Sequence, residues 1–521
     1  MLPTADDHTP FFLNASHWFS KIIGSQLYFS PNATLLNKIN HLPNEQFWRN
    51  YYLPFACLII DKSHHSITMV RDHFGLEPFF YFYAEQQFIF ASTIGDLITA
   101  LGNTPKLSTK QVEQLLINCC TRQDKYTDET LYEGIYRVEP GSCVSIKAHK
   151  RSKTYYWHLA EQVVPTNYKN PSDYLEHFSA LLHEGLSLYT ANHTQIACEF
   201  SGGVDSTTVL LGLKKLNIKP ALYLHASPKD LNNQLPHDIV DALSMGPLKK
   251  IGAEHFNLQT VIQEISYLFA GAPNYFFTIG ANNIHQAVKR DGHTLLLSGF
   301  GGDECVSNHT PLSIYLCECF LKNKHWQAWQ EIRSSEAHKK TLPAYQLLQF
   351  LKRYYTAYTQ KNTSKSNTIR NFEYKLLQGI RSQHIRLRIE ESAVIAKHYG
   401  FEYRYPLLYP KLVEFCFALP IELKRNQGLT RLMPRRYLTQ SLSEEILNRQ
   451  KKDGSIMPAT LAHIQHAFQE GIYKEQFCQL PYIELARKIA TQFRGNENSS
   501  LIQEVLLYAI KHYQVKTTRT T

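Results

Sequence analysis

Two kinds of hydrophobic pattern divide the chain. From about residue 11 to 160, apolar residues come in short aromatic-rich runs of the length that strands require. Residues 54–61 read as a buried strand, and 66–72 alternate in the manner of a half-buried one. Residues 79–83 and 88–91, parted by the polar turn 84–87, have the look of sheet hairpins. Residues 163–170, with Pro165, read as a linker. Past it the period changes. Ser172 opens an amphipathic helix through Leu188, then come a strand (196–200), a glycine-rich turn, a helix (207–216) and another strand (222–226). Strands alternating with helices predict βαβ units and a parallel sheet. Residues 311–521 are mostly helical in period, with no internal repeat or low-complexity tract. The expectation is an α/β protein of two domains, 1–165 and 171–521.

Composition supports packed cores, since 43% of the residues are hydrophobic and only 19% charged. The 55 Lys+Arg against 45 Asp+Glu leave +10, an excess compatible with a nucleotide enzyme or an acidic substrate. Without a basic block, nucleic acid is not an expected partner, and a solvated basic surface is the simplest account. The first residues lack a signal-peptide pattern, and no apolar run reaches the roughly 20 residues that span a bilayer. The ten cysteines are scattered without paired C-x-x-C ligands. They read as reduced thiols, so a cytoplasmic location off the membrane is expected.

The sharpest chemical signal is the S-G-G-x-D-S run at Ser201, Gly202, Gly203, Asp205 and Ser206, between a strand and a helix. Glycines let the backbone approach an anion, and the helix N-terminus supplies N–H donors and a positive dipole. Ser201 and Ser206 add hydroxyl donors, and Asp205 can hold a divalent cation on phosphates. No G-K-[ST] follows, so this is not the Walker pattern; the loop resembles the pyrophosphate loop of enzymes that split ATP between the α and β phosphates. A second strand, 294–297, leads into Ser298-Gly299-Phe300-Gly301-Gly302-Asp303-Glu304. Two strand-end turns, each with an aspartate, can converge on one magnesium–pyrophosphate unit.

These two turns, with several other segments, resemble asparagine synthetase and its relatives, among them β-lactam synthetase, carbapenam synthetase and the lasso-peptide cyclases. Arg71-Asp72-His73-Phe74-Gly75-Leu76-Glu77-Pro78 resembles the family's R-D-x-x-G-x-x-P segment. Gly400 to Leu408 resembles G-x-E-x-R-x-P-F-L, and Thr430-Arg431, Arg435-Arg436 and Arg449-Gln450-Lys451-Lys452 follow in the family's order. The resemblance implies a glutaminase-like (Ntn-hydrolase-type) αββα sandwich, then a parallel-sheet adenine-nucleotide α-hydrolase-like synthetase domain with a helical C-terminal part. It implies ATP and Mg2+ as cofactors, the metal held by Asp205 and Asp303. The ATP contacts would come from the S-G-G-x-D-S loop together with Leu224, Ser298, Gly299 and Gly301. The implied reaction is adenylation of a carboxylate, loss of pyrophosphate and attack by an amine. Lys451 matches a lysine that stabilises charge in the amide-forming step, though a solvated basic pair Lys451-Lys452 is its alternative. Glu402 is a base partner or an acid paired with Arg404.

The chain also departs from the pattern. Glutamine-hydrolysing members need a first-residue cysteine, whereas residue 2 is Leu2 and the first cysteine, Cys57, lies in an apolar run. The front domain is therefore expected to be a scaffold without its nucleophile. Phe300 stands where asparagine synthetases have a glutamate and β-lactam synthetases a tyrosine, and phenylalanine cannot move a proton. The favoured expectation is a lasso-peptide cyclase, joining a peptide's N-terminal amine to an Asp or Glu side chain. Its partners would be a peptide or small-molecule carboxylate and amine, with a precursor-peptide protease and a leader-binding protein as further candidates. An ammonia-using asparagine synthetase homologue, an amide ligase for another metabolite and a non-catalytic nucleotide-binding or interaction protein are the alternatives, the last disfavoured because Ser201 and Asp205 are both present.

Overall fold

A computed structural model describes residues 11–13, 18–84, 87–121, 127–164, 166–226, 233–252, 258–271, 277–306, 312–339, 351, 383–449, 482–492 and short stretches of 502–511. Two sheets build the front half. One has four strands in the order β1 (Phe11–Leu13), β7 (Gln87–Ala91), β6 (Phe80–Ala84), β8 (Ile135–Arg137). The other has six, ordered β10 (Lys150–Tyr155), β9 (Ser142–Lys147), β5 (Ser66–Arg71), β4 (Ala56–Asp61), β3 (Gln26–Ser30), β2 (Phe19–Ile23). Pairing is antiparallel except between β1 and β7.

Side-chain alternation explains the layering. Ala56 and Leu58 of β4, Met69 of β5, Tyr81 of β6 and Phe88 and Phe90 of β7 fill one apolar cluster shared by both sheets. The intervening residues Cys57, Ile59, Val70, Phe80 and Ile89 point the other way, into the core formed with the flanking helices. Helices Ala33–Lys38 and Glu45–Arg49 supply Leu35, Leu36 and Trp48 on one side, and Ile94–Leu101 and Thr109–Thr121 supply Leu97 and Leu116 on the other. The result is the expected αββα sandwich.

The second half is built on a five-stranded parallel sheet, ordered β13 (Leu248–Gly252), β12 (Ala221–Ala226), β11 (Ile196–Glu199), β14 (Leu295–Leu297), β15 (Glu402–Arg404). The chain moves outward from β11 through β12 to β13, then returns to the other side of β11 for β14 and β15. The strand order therefore reverses between β11 and β14, the place where open α/β sheets bind ligands. Helices dominate the rest of the described chain. None of them is long and apolar enough to cross a membrane.

One core residue carries a pH signature. His285, on the helix Phe277–Arg290, is 1% exposed between the rings of Phe401 and Tyr403. Neither of its ring nitrogens has a hydrogen-bond partner among the described residues. Burial, reinforced by His225 nearby, pushes its ionisation down to about 3. The unfolded side chain binds its proton near the ordinary value, so this stability is present above that value and lost as pH falls toward 3. His285→Phe keeps the ring and removes the titration. Its stability relative to wild type should be about 2 kcal/mol more favourable at pH 5 than at pH 7.5, read from urea midpoints. Equal differences at the two pH values would clear His285 of the effect.

Candidate active site

The phosphate loop starts where β11 ends. Phe200 N–H donates to the Tyr223 carbonyl (2.8 Å), carrying the pairing one residue past Glu199. Gly202 then takes a φ of +73°, in the left-handed region that glycine enters without cost. Gly203 caps the helix Val204–Lys215, with Asp205 in its first turn. The helix begins three residues earlier than the sequence pattern predicts, because the cap is Gly203 and not Ser206. Ser201 Oγ and Ser206 Oγ lie 3.2 Å apart across the mouth, and Ser201 N–H donates to Ser206 Oγ at 3.3 Å. Leu224, buried in β12, lies one residue beyond the Tyr223–Glu199 pair, level with the end of β11.

The second turn is pressed against the first. A Cβ on Gly299 would sit 2.7 Å from the Ser206 backbone nitrogen. One on Gly302 would collide with the Asp205 carboxylate, and one on Gly301 (φ +92°) with Leu408. Ser298 Oγ accepts from Phe300 N–H at 3.3 Å, and a single π-helical turn, Gly302–Val306, follows with Asp303 in its first positions. Such turns are frequent at functional sites. Ser201, Gly202, Gly203, Asp205, Ser206, Ser298, Gly299, Gly301 and Asp303 are thus brought together at the switch point.

Arg431 joins the two aspartates. Its guanidinium lies 3.4 Å from Asp205 Oδ2 and also ion-pairs with Asp303. The residue has a left-handed backbone (φ 62°, ψ 41°) just before the helix Leu432–Leu438, a conformation that costs a non-glycine residue on the order of 1 kcal/mol. Arg435, one turn on, is held below the usual arginine range by burial and by Arg431, with Asp205 opposing the shift. The mouth therefore carries two acids and the Arg431 guanidinium, while the Arg435 guanidinium behind it donates to the carbonyls of Thr430 and Leu447, both at 3.2 Å. Among the described residues no group of three or more His, Cys, Asp or Glu side chains could hold a metal. Two carboxylates fit Mg2+, which keeps several waters and fills its sphere with phosphate oxygens.

Phe300 is buried at the lip of this turn. The Arg388 guanidinium carbon lies 3.9 Å over its ring, and Tyr405 packs edge-on at 5.5 Å. Glu402 is not at the mouth. It pairs in register with Leu295, at the amino end of β14, while the turn begins after Leu297. At about 3.3 Å per residue it is set back by roughly 10 Å. Its exposed carboxylate ion-pairs with Arg404, with His193 Nε2 at 3.9 Å. Of the two readings of Glu402, the geometry favours the paired acid over the base partner. Lys451, with Lys452, lies outside the described residues. Sequence reasoning noticed Arg431 and Arg435 without giving them a place in the site; their spacing of four, one helical turn, was the available signal.

In the front half, Cys57 is fully buried in β4, and burial with Cys143 nearby pushes its thiol far up, opposite to what a nucleophile needs.

Comparison with known proteins agrees with this geometry. Residues 35–157 match the model of the glutamine amidotransferase domain, and residues 255–488 match that of asparagine synthase. Asparagine synthetase 2 (glutamine-hydrolyzing) of Bacillus subtilis is 21% identical over 491 residues, covering 88% of this chain and 62% of its own length. The chain is a distant homologue of the asparagine synthetases. A provisionally named glutamine-hydrolyzing asparagine synthetase (number 1) of Methanocaldococcus jannaschii is 24% identical over 411 residues, 75% of this chain and 60% of its own length. Amidase chry2 of Gibberella zeae is 22% identical over 176 residues, 33% of this chain and 24% of its own. This homologue thus spans about three fifths of the length of its two asparagine synthetase relatives. Cys57 lies within its amidotransferase match and the Gly299–Asp303 turn within its synthase match.

Proposed function

We propose that this protein is an ATP-dependent amide-bond ligase that releases AMP and pyrophosphate. The observation that supports the reading is the apposition of the two glycine turns, with Asp205, Asp303, Ser201 and Ser206 close together at a helix N-terminus. A carboxylate is a poor acyl donor until its oxygen becomes part of a good leaving group. Attack of that oxygen on the α-phosphorus expels pyrophosphate. An amine nitrogen then attacks the acyl carbon, loses a proton and expels AMP with the oxygen. The loop N–H groups and Arg431 would hold the polyphosphate as charge moves onto it. Mg2+, used in this family together with ATP, would be held by Asp205 and Asp303 and would neutralise part of that charge.

The acyl acceptor we infer is an amine carried by a peptide substrate, in the manner of lasso-peptide cyclases, closing an isopeptide macrolactam. Two observations favour it over ammonia. Phe300 offers no acid or phenol beside the mouth, and the thiols described in the front domain, Cys57 and Cys143, are both pushed upward by burial. A precursor-peptide protease and a leader-binding protein would be natural partners of such a reaction. Intact-mass analysis of linear peptides carrying one Asp or Glu, incubated with ATP, tests this: loss of one water supports cyclisation. Conversion of aspartate and ammonium to asparagine would instead favour the activity named for the relatives.

The two half-reactions separate the role of Lys451. Lys451→Ala should block product formation more severely than substrate-dependent ATP–pyrophosphate exchange, because adenylation needs the loop whereas amide formation needs a cation on the developing oxyanion. Lys452→Ala should be mild. Equal loss of both activities in Lys451→Ala would assign the lysine to adenylation, and a severe Lys452→Ala beside a mild Lys451→Ala would exchange their roles.

A further inference from the structure

The helix Gln383–Tyr399 runs between the front half and Phe300, and its two sides do different things. Arg386, Glu390 and Lys397 fall within about 40° of one another around its axis, and Arg388 lies on roughly the opposite side. The first three all meet the front half: Arg386 with Glu139 (3.4 Å), Lys397 with Glu77, and Glu390 with both Arg71 (2.7 Å) and Arg137 (3.1 Å). Side-chain exposure in this triad is 1% for Arg71, 4% for Arg137 and 3% for Glu390.

The arginines are themselves fixed. Arg71 donates to the carbonyls of Glu77, Val138 and Gly75, and Arg137 to that of Glu129. The R-D-x-x-G segment owes its shape to Asp72, which accepts from the backbone N–H groups of Phe55, Phe74, Leu76 and Glu77. Burying three charges is a poor way to gain stability, since apolar residues of like volume serve as well. What a triad with directed hydrogen bonds adds is a single rotational setting of the helix. On its far side that setting puts the Arg388 guanidinium over Phe300, at the lip of the nucleotide mouth.

We propose that the front half is a brace for the ligase site. Glu390, clamped by Arg71 and Arg137, is a positioning residue that holds Arg388 on Phe300, and Arg388 receives the carboxylate of the acyl donor. A guanidinium presents its N–H donors as a planar fork, the geometry that suits a carboxylate. The last part rests on the ligase reading above; the brace does not.

The test uses the full chain and three single variants, Glu390→Gln, Arg137→Gln and Arg388→Gln, with the double variant Arg388→Gln/Glu390→Gln. Amide hydrogen exchange over residues 385–399 should quicken about tenfold in Glu390→Gln while β11 and β14 keep their protection, and should not change in Arg388→Gln. The second readout is ATP–pyrophosphate exchange supported by a nine-residue peptide with one aspartate, or by L-aspartate. Glu390→Gln and Arg388→Gln should each raise the half-saturating carboxylate concentration about tenfold with half-saturation by ATP unchanged, and the double variant should be no worse than Arg388→Gln. Arg137→Gln, which leaves Arg71 in place, should show the same changes at smaller amplitude and serves if Glu390→Gln does not fold. Unchanged hydrogen exchange in the helix, or a parallel loss of ATP affinity, overturns the brace. Additive losses in the double variant overturn its action through Arg388. If neither probe supports exchange in wild type, it is the ligase reading that fails, and hydrogen exchange alone decides the brace.

Discussion

Replacing Asp205 or Asp303 by asparagine is expected to lower turnover on the order of a hundredfold or more while leaving the fold intact. Both carboxylates stand at the mouth formed by the two turns, and both are already balanced by Arg431. Asparagine keeps the shape and removes the charge, so the loss falls on the step in which charge moves to the departing pyrophosphate. Circular dichroism and the urea midpoint should stay close to wild type, because each side chain is partly exposed (15% and 23%) and neither fills the core. Near-wild-type pyrophosphate release from either variant would remove that aspartate from the site.

Gly299→Ala should be nearly as damaging, by a different route. Its Cβ would stand 2.7 Å from the Ser206 backbone nitrogen, so the two turns must separate rather than a side chain give way. Separation dismantles the mouth from which the loop N–H groups and both aspartates act. Overpacking of this kind costs about 1–3 kcal/mol of stability, and nucleotide affinity should fall with it. Gly302→Ala, whose Cβ meets the Asp205 carboxylate, should lose affinity with a smaller stability cost because a side chain can swing aside. Calorimetric titration with ATP beside urea denaturation checks both. Undiminished affinity in Gly299→Ala would mean that the two turns do not act together.

Much of this is legible in the sequence alone. Strand period and glycine placement locate β4 to β7 and both turns, since these are local properties of the chain. The start of the Val204–Lys215 helix was misplaced because Gly203 caps it, and glycine is a weaker cap signal than serine. Glu402 was ambiguous for a geometric reason. Its role depends on which end of β15 carries it, and strand register is a tertiary property that no local pattern encodes. Arg431 reaches Asp205 from 226 residues away in sequence, and the Arg71–Glu390 pair spans 319. Such partners are chosen by the fold, so the cations of the site and the brace behind Phe300 became visible only in three dimensions.

The central claim is that the carboxylate is activated by transfer to AMP. Isotope labelling tests it most directly: a substrate with both carboxylate oxygens replaced by oxygen-18 is turned over with ATP, and the nucleotide product is weighed. The account predicts AMP carrying one labelled oxygen, unlabelled pyrophosphate and an amide retaining the other label. Label in inorganic phosphate with ADP as the nucleotide product, or unlabelled AMP, would contradict it.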